Sequence, residues 1–233
     1  MRLVFVSDTH GQHEEHGVLE ADLLVHCGDL CGGARRGEEE IARLDDWFSR
    51  QRAEQILVVG GNNDLAVQRR LEQGRPAFRH ARVLQDEAVE VGGLRIYGSP
   101  WVPDLAGMAY YADTAELKRR WAAIPDGLDL LITHTPPAGV LDRSSSGQRL
   151  GCRQLARAVA ARAPRVHAFG HVHASYGTAQ SGGTTFINAS SLARGQPRLR
   201  PPVVLELDAR APARPDRPGL WSTLRDGCAK ILA

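Results

Sequence analysis

Apolar residues in this chain gather in short runs that stop on polar or glycine-rich stretches. Such runs, bounded by turn formers, read as strands. They fall at 2–7, 21–27, 55–60, 88–93, 94–99, 128–134, 165–171, 184–189 and 202–208. Three intervening segments, 38–51, 114–123 and 151–163, carry helical patterns instead. In the last of these, Leu155, Val159 and Arg162 follow the three-to-four spacing of one helix face. The early strands are apolar throughout rather than alternating, which suits strands covered by helices on both sides. The later ones follow each other closely and predict an antiparallel or mixed sheet. The pattern predicts an α/β domain with two sheets over 1–208, followed by a Pro/Arg-rich C-terminal extension over 209–233. Pro212, Pro215 and Pro218 interrupt that extension, so 219–233 is expected to form a short terminal helix or to stay loose.

Composition changes this picture little. Hydrophobic residues make up 42% of the 233 and charged residues 24%, the balance of a soluble globular protein. A net charge of +2 gives no reason to expect a stable nucleic-acid partner. The Arg-rich stretch 194–217 is read as a solvated tail. No apolar run reaches the ~20 residues of a membrane span. The N-terminal run meets Asp8 too soon to be a leader, so a cytoplasmic protein with no membrane attachment is expected. Cys27, Cys31, Cys152 and Cys228 read as free thiols, since a zinc site on the first two would need two further partners at matching spacing.

The chemistry sits where the strands stop. In open α/β sheets the loops at the carboxyl ends of strands converge on one edge. Here those ends read "SDTHG" with Asp8 and His10, "HCGDL" with Asp29, and "GGNND" with Asn62, Asn63 and Asp64. They continue with "THTPP", carrying His134, and "GHVH", carrying His171 and His173. Carboxylate, carboxamide and imidazole together suit divalent ions such as Mn²⁺, Fe²⁺ or Zn²⁺. The D-x-H and H-x-H spacings put both members of each pair on one side of an extended segment. Any one of these alone would be a satisfied core or surface residue; the series of five in order is what carries the reading.

That order, "SDTH", "GD", "GNN", "TH" and "GHVH", resembles the calcineurin-like metallophosphoesterases, over residues 1 to about 208. The segments "RIYGSPWVP", "IPDGLDLLITHTPP", "GCRQL" and "TTFINAS" resemble the branch of 239AB-type metallophosphoesterase-domain proteins. The resemblance implies a four-layer α-β-β-α sandwich of two mixed sheets, a site for two divalent metals (Mn²⁺ first, then Fe, Zn or Ni) and phosphodiesterase activity, often on cyclic nucleotides. It places Asp8, His10 and His173 on the first metal, Asn62, His134 and His171 on the second, and Asp29 between them. A hydroxide bridging the ions would attack a small phosphodiester or nucleotide substrate. The departure is Asn63, where the family has a His near the leaving group; Asn donates a hydrogen bond but gives up no proton at useful pH. Asp64, which in the family orients that His, is expected to shape the turn. The alternative implied by the loss is a catalytically weak or inactive metal-binding, nucleotide-binding or scaffold protein.

Other residues keep plainer readings. His13 and His16 read as solvated loop histidines, with proton donation to the leaving group as the functional alternative. His26 and His167, inside apolar runs, read as buried neutral histidines behind the ligands. Trp101 and Tyr110–Tyr111 fit a substrate wall or core packing equally well. Asn188 fits a substrate contact or a turn.

Overall fold

The computed structural model describes residues 1–32, 37–193, 195, 198–209 and 230–232. In chain order its strands are β1 (Arg2–Val6), β2 (Glu20–His26), β3 (Arg52–Val58), β4 (Arg82–Val83), β5 (Glu87–Val91), β6 (Leu94–Ser99), β7 (Leu130–Thr133), β8 (Val166–Phe169), β9 (Gly177–Ser181), β10 (Thr184–Asn188), β11 (Val203–Glu206) and β12 (Lys230–Leu232). The α-helices are α1 (Gly37–Ser49), α2 (Leu65–Glu72), α3 (Thr114–Ala122) and α4 (Arg153–Arg162).

The continuous apolar runs fold as covered strands because each must bury two faces. In β1, Leu3 and Phe5 enter one apolar layer while Val4 and Val6 enter another. Leu23, Val25 and Leu57 side with the first pair, and Leu24, Ile56 and Val58 with the second. One sheet has the order β12-β11-β1-β2-β3-β4, the other β5-β6-β7-β8-β10-β9. In the first, β1 to β4 run parallel and β11 and β12 close the far side antiparallel. In the second, β6, β7, β8 and β10 run parallel, flanked by antiparallel β5 and β9.

Three apolar layers follow. Between the sheets, Leu3, Phe5 and Leu57 meet Ile96, Ile132 and Ile187. Outside the first sheet, α1 inserts Ile41, Leu44, Trp47 and Phe48 and α2 inserts Val67. Outside the second, α3 inserts Leu117 and Trp121 and α4 inserts Leu155 and Val159. The helix starts carry caps: Asp113 accepts from the Glu116 N–H at 2.8 Å, and the Cys152 thiol accepts from the Leu155 N–H at 3.4 Å. The result is the expected α-β-β-α sandwich of two mixed sheets.

Cys27 lies in the layer between the sheets and Cys31 in the layer under α1, so the two do not form a joint metal site. Most of the predicted extension lies outside the described residues, Cys228 and the run 210–229 included. Within the stretch expected to be helical or loose, the described part is β12, which pairs with β11.

Candidate metal centre

Because β1, β2 and β3 run parallel, as do β7 and β8, the loops after all five open on the same edge of the sandwich. The two sheets also meet there. Ser7 and Ser190 form a parallel bridge, the Ser191 N–H donates to the Ser7 carbonyl at 2.7 Å, and the His134 Nδ1 reaches the Cys27 carbonyl at 2.8 Å.

The ligand-type side chains converge on this edge. The Nε2 atoms of His10 and His173 lie 3.4 Å apart, and the His173 Nε2 lies 3.1 Å from the Asp8 Oδ1. The His10 Nε2 is 3.6 Å and the His134 Nε2 3.5 Å from opposite oxygens of Asp29. Asn62 turns its Oδ1 to the His134 Nε2 at 3.1 Å. His171 packs edge-on to His134, ring centroids 5.0 Å apart, and donates its backbone N–H to both Asp8 oxygens at 2.9 and 3.1 Å. Two donor groups overlap at Asp8: Asp8, His10 and His173, with ligand atoms within 4.8 Å of one another, and Asp8, Asp29 and His134 with the same spread. The first group is the one expected for the first metal. The second shares Asp29 and His134 with the expected second site.

Without an ion, imidazole protons can bridge these contacts; the mixed set of carboxylate oxygens and imidazole nitrogens is itself one that divalent cations take. The side chains show the effect of this closeness. Burial opposes ionisation of Asp8, but the hydrogen bond from His173 and the neighbouring imidazoles hold its carboxyl far below the usual range. Asp29 is likewise drawn down to about 2 against its burial, chiefly by His134. His134, though buried, is pushed up to about 9 by Asp29 and Asp8. Burial and the neighbouring His134 lower His171 to about 4.

The backbone is bent to bring these groups together. Asp8, His10, Asp29 and His171 have φ of 52°, 43°, 51° and 67°. That left-handed region costs a residue with a side chain about 1–2 kcal/mol, and such strain gathers at functional sites. Two glycines permit the close approach. A Cβ on Gly170 would lie 2.2 Å from the Asp8 Oδ2, and one on Gly61 2.4 Å from the Asp29 Oδ1.

Supporting residues fix these candidate ligands. Asp64 is fully buried and accepts from the Gly61, Cys31 and Leu30 N–H groups at 2.7, 2.9 and 3.2 Å, tying the loop after β3 to the loop after β2. It therefore shapes the turn. Burial and the nearby Asp29 charge raise its carboxyl to about 7, partly offset by those backbone donors. His26 accepts from the Gly28 N–H on Nδ1, so its Nε2 donates to Thr9 Oγ1, between Asp8 and His10. His167 bonds Thr133 Oγ1 at 2.9 Å, next to His134. Ser190, not singled out from the sequence, donates its hydroxyl to the Asp8 Oδ2 at 2.8 Å. Arg200 holds the His173 and Ser190 carbonyls through Nη1 at 2.6 and 3.1 Å. The signal for Ser190 was present: it follows the run 184–189 as another polar strand end.

Asn63 does not stand apart from the candidate ligands. Its amide Nδ2 donates to the Asp29 Oδ2 at 2.7 Å and its backbone N–H to the Asp29 Oδ1 at 2.8 Å. The reading of His13 as a solvated histidine is corrected. It is 1% exposed, its ring centroid 5.6 Å from that of Trp47, because its turn folds down onto α1. His16 is half-buried against Ser191 Oγ at 3.1 Å. Burial lowers both to about 4, which makes them poor proton donors at neutral pH. Trp101 and Tyr110 belong to the core under α3, while Tyr111 is exposed. Asn188 is the last residue of β10 and neither a turn residue nor open to a substrate: its buried amide donates to the Leu141 and Val172 carbonyls and accepts from the Ser190 N–H.

The family model for the calcineurin-like phosphoesterase superfamily domain matches residues 1–210, and the chain belongs to that superfamily. It is similar to the UPF0046 protein K07C11.7 of Caenorhabditis elegans, 34% identical over 219 residues, covering 88% of this chain and 74% of that one. It is also 33% identical to metallophosphoesterase domain-containing protein 1 of Homo sapiens over 232 residues, covering 88% of this chain and 71% of the human one. One solved structure superposes with a TM-score of 0.57 at 16% identity, over 81% of this chain and 90% of that one, a likeness of fold alone. Among the described residues no helix is long and apolar enough to cross a membrane.

Proposed function

We propose that this protein is a metal-dependent phosphodiesterase acting on small substrates, cyclic nucleotides among them. The observation that carries the reading is the convergence of Asp8, His10, Asp29 and His173 with His134 on one opening, in two overlapping donor groups. Asp8, His10 and His173 would hold one ion, and Asn62, His134 and His171 a second, with Asp29 shared; Mn²⁺ suits this mixed oxygen and nitrogen set. Bound there, a metal pair would ionise water near neutral pH and offset charge on the phosphate oxygens.

The chain's own residues prepare this. The Cys27 carbonyl occupies His134 Nδ1–H, which leaves Nε2 as the ligand nitrogen. The donors on Asp8 keep it ionised and facing His173. The opening lies on the side of His10 and His173, whose side chains are 19% and 30% exposed, while Asp29 and His134 are closed off beneath. Asn63 has no proton to give a leaving group, so esters of acidic phenols and other activated diesters are the best substrates.

The test is hydrolysis of bis(p-nitrophenyl) phosphate with and without added Mn²⁺, by the wild type and by Asp29→Asn. A Mn²⁺-dependent rate that falls more than about 10–100-fold in the variant is expected, since the loss of a group that merely orients a ligand already costs that much. A wild type that binds Mn²⁺ and shows no Mn²⁺-dependent turnover would overturn the enzyme and favour a metal-binding scaffold.

A further inference from the structure

We infer that Asn63 is a positioning residue for Asp29: its amide and backbone N–H fix the orientation of the carboxylate that two ions would share. The inference rests on the proposed metal site. Position 63 could have faced outward, towards a leaving group, and the sequence reading put it there. In the structure its side chain folds back. Asp29 has four near neighbours on its two oxygens. Oδ1 takes the Asn63 backbone N–H at 2.8 Å and faces the His134 Nε2 at 3.5 Å; Oδ2 takes the Asn63 Nδ2 at 2.7 Å and faces the His10 Nε2 at 3.6 Å. One residue thus grips both oxygens and leaves each a free direction towards an imidazole.

The identity of the amide atom follows from chemistry. An ionised carboxylate only accepts, so the atom 2.7 Å away must be the amide nitrogen. Asp29 is 2% exposed and held at a φ of 51°, a backbone that does not by itself choose the carboxylate's rotation. Gly61 closes one side, since any Cβ there would strike Asp29. Asp64 fixes the same pair of loops through their backbones. Residues 63 and 64 therefore act as two latches on the loop after β2, one on its side chain and one on its main chain.

Histidine fits this assignment as well. Its Nδ1 stands as far along the side chain as the amide nitrogen of asparagine, so an Nδ1–H tautomer donates to Asp29 in the same way. It would add an Nε2 that asparagine lacks. Asparagine at 63 then keeps the latch and gives up the acid.

The test is Mn²⁺ binding by calorimetry to the full chain: wild type, Asn63→Ala and Asn63→His. Circular dichroism and metal-free melting serve as checks of folding. Loss of such a ligand-orienting partner weakens metal affinity about 10–100-fold. That loss is expected in Asn63→Ala with the metal-free fold intact, because the backbone N–H to Asp29 survives, and Asn63→His should recover most of it. Wild-type Mn²⁺ affinity in Asn63→Ala overturns the inference and leaves the metal site standing. A wild type that binds no Mn²⁺ overturns both. If Asn63→Ala fails to fold, Asn63→His decides: affinity near that of the wild type supports the latch, and a loss of 10-fold or more overturns it.

Discussion

Gly170 offers a severe test of how tightly the centre is built. Replacing it by alanine puts a methyl group 2.0 Å from the Ser7 Oγ and 2.2 Å from the Asp8 Oδ2, where ordinary contact begins at 3.4 Å. Neither neighbour moves freely. The Ser7 hydroxyl donates to the Gly28 carbonyl, and Asp8 is held by the His171 N–H and the Ser190 hydroxyl. Two hydrogen bonds to a charged group at about 1.5–3 kcal/mol each, and one neutral bond near 1, give about 4–7 kcal/mol if all are broken. That is a large part of the ~5–15 kcal/mol that holds an ordinary domain folded. The assay is a urea unfolding curve without metal, followed by a Mn²⁺ titration of whatever folds. The expected result is a steep loss of stability, with weak Mn²⁺ binding in any folded fraction because Asp8 has been turned away. Gly139→Ala is the control: its φ is 97° and nothing lies within 4 Å, so only backbone strain of about 1–2 kcal/mol is expected. If Gly170→Ala loses no more than the control and binds Mn²⁺ like the wild type, the packing argument is wrong.

Three further outcomes follow from the same geometry. Asp64→Asn cannot satisfy three backbone donors, because an amide oxygen replaces only one of the two accepting atoms. With one or two buried N–H groups unpaired, urea titration should show a loss of about 1–6 kcal/mol, at about 1–3 for each. His167 is buried and neutral, its folded pKa lowered by burial from 6.5 to about 3. A depressed histidine costs stability as pH falls below 6.5, so His167→Phe should flatten the acid limb of the stability–pH curve between pH 6 and 4 by about 1.4 kcal/mol per unit. An unchanged slope would locate the acid sensitivity elsewhere. Asn63→His should raise hydrolysis of nucleoside diesters relative to aryl diesters, by up to the ~10²–10⁴ that general acids supply. A rate ratio equal to that of the wild type would remove the account of asparagine as the missing acid.

The sequence carried much of this because strand ends are where apolar runs stop, and here they stop on carboxylates, carboxamides and imidazoles. Asp8, Asp29, Asn62, His134 and His171 were each visible as the first chemistry after a run that had to be buried. The elements it did not reveal lack that contrast. β9 is a polar edge strand, GTAQS, with no fully buried residue, and β4 pairs through two residues. α2 buries only Val67 and opens directly out of the loop that carries Asn62 and Asn63, so its pattern is too short to register. His13 looked solvated because its neighbours Glu14 and Glu15 are charged; its burial depends on Trp47, which reaches it only after α1 has packed. The role of Asn63 was illegible for the same reason. Residue type told what its amide can do, and only the meeting of two loops told which way it turns.

The bridge between Ser7 and Ser190 has one more consequence. Asp8, His10, Asn62 and Asp29 belong to one β-layer, and His134, His171 and His173 to the other. A cation gripped by both groups would act as a rivet through the two halves of the sandwich at the rim where they are already stitched. Tightness of ion capture and resistance of the halves to being prised apart would then be a single mechanical property.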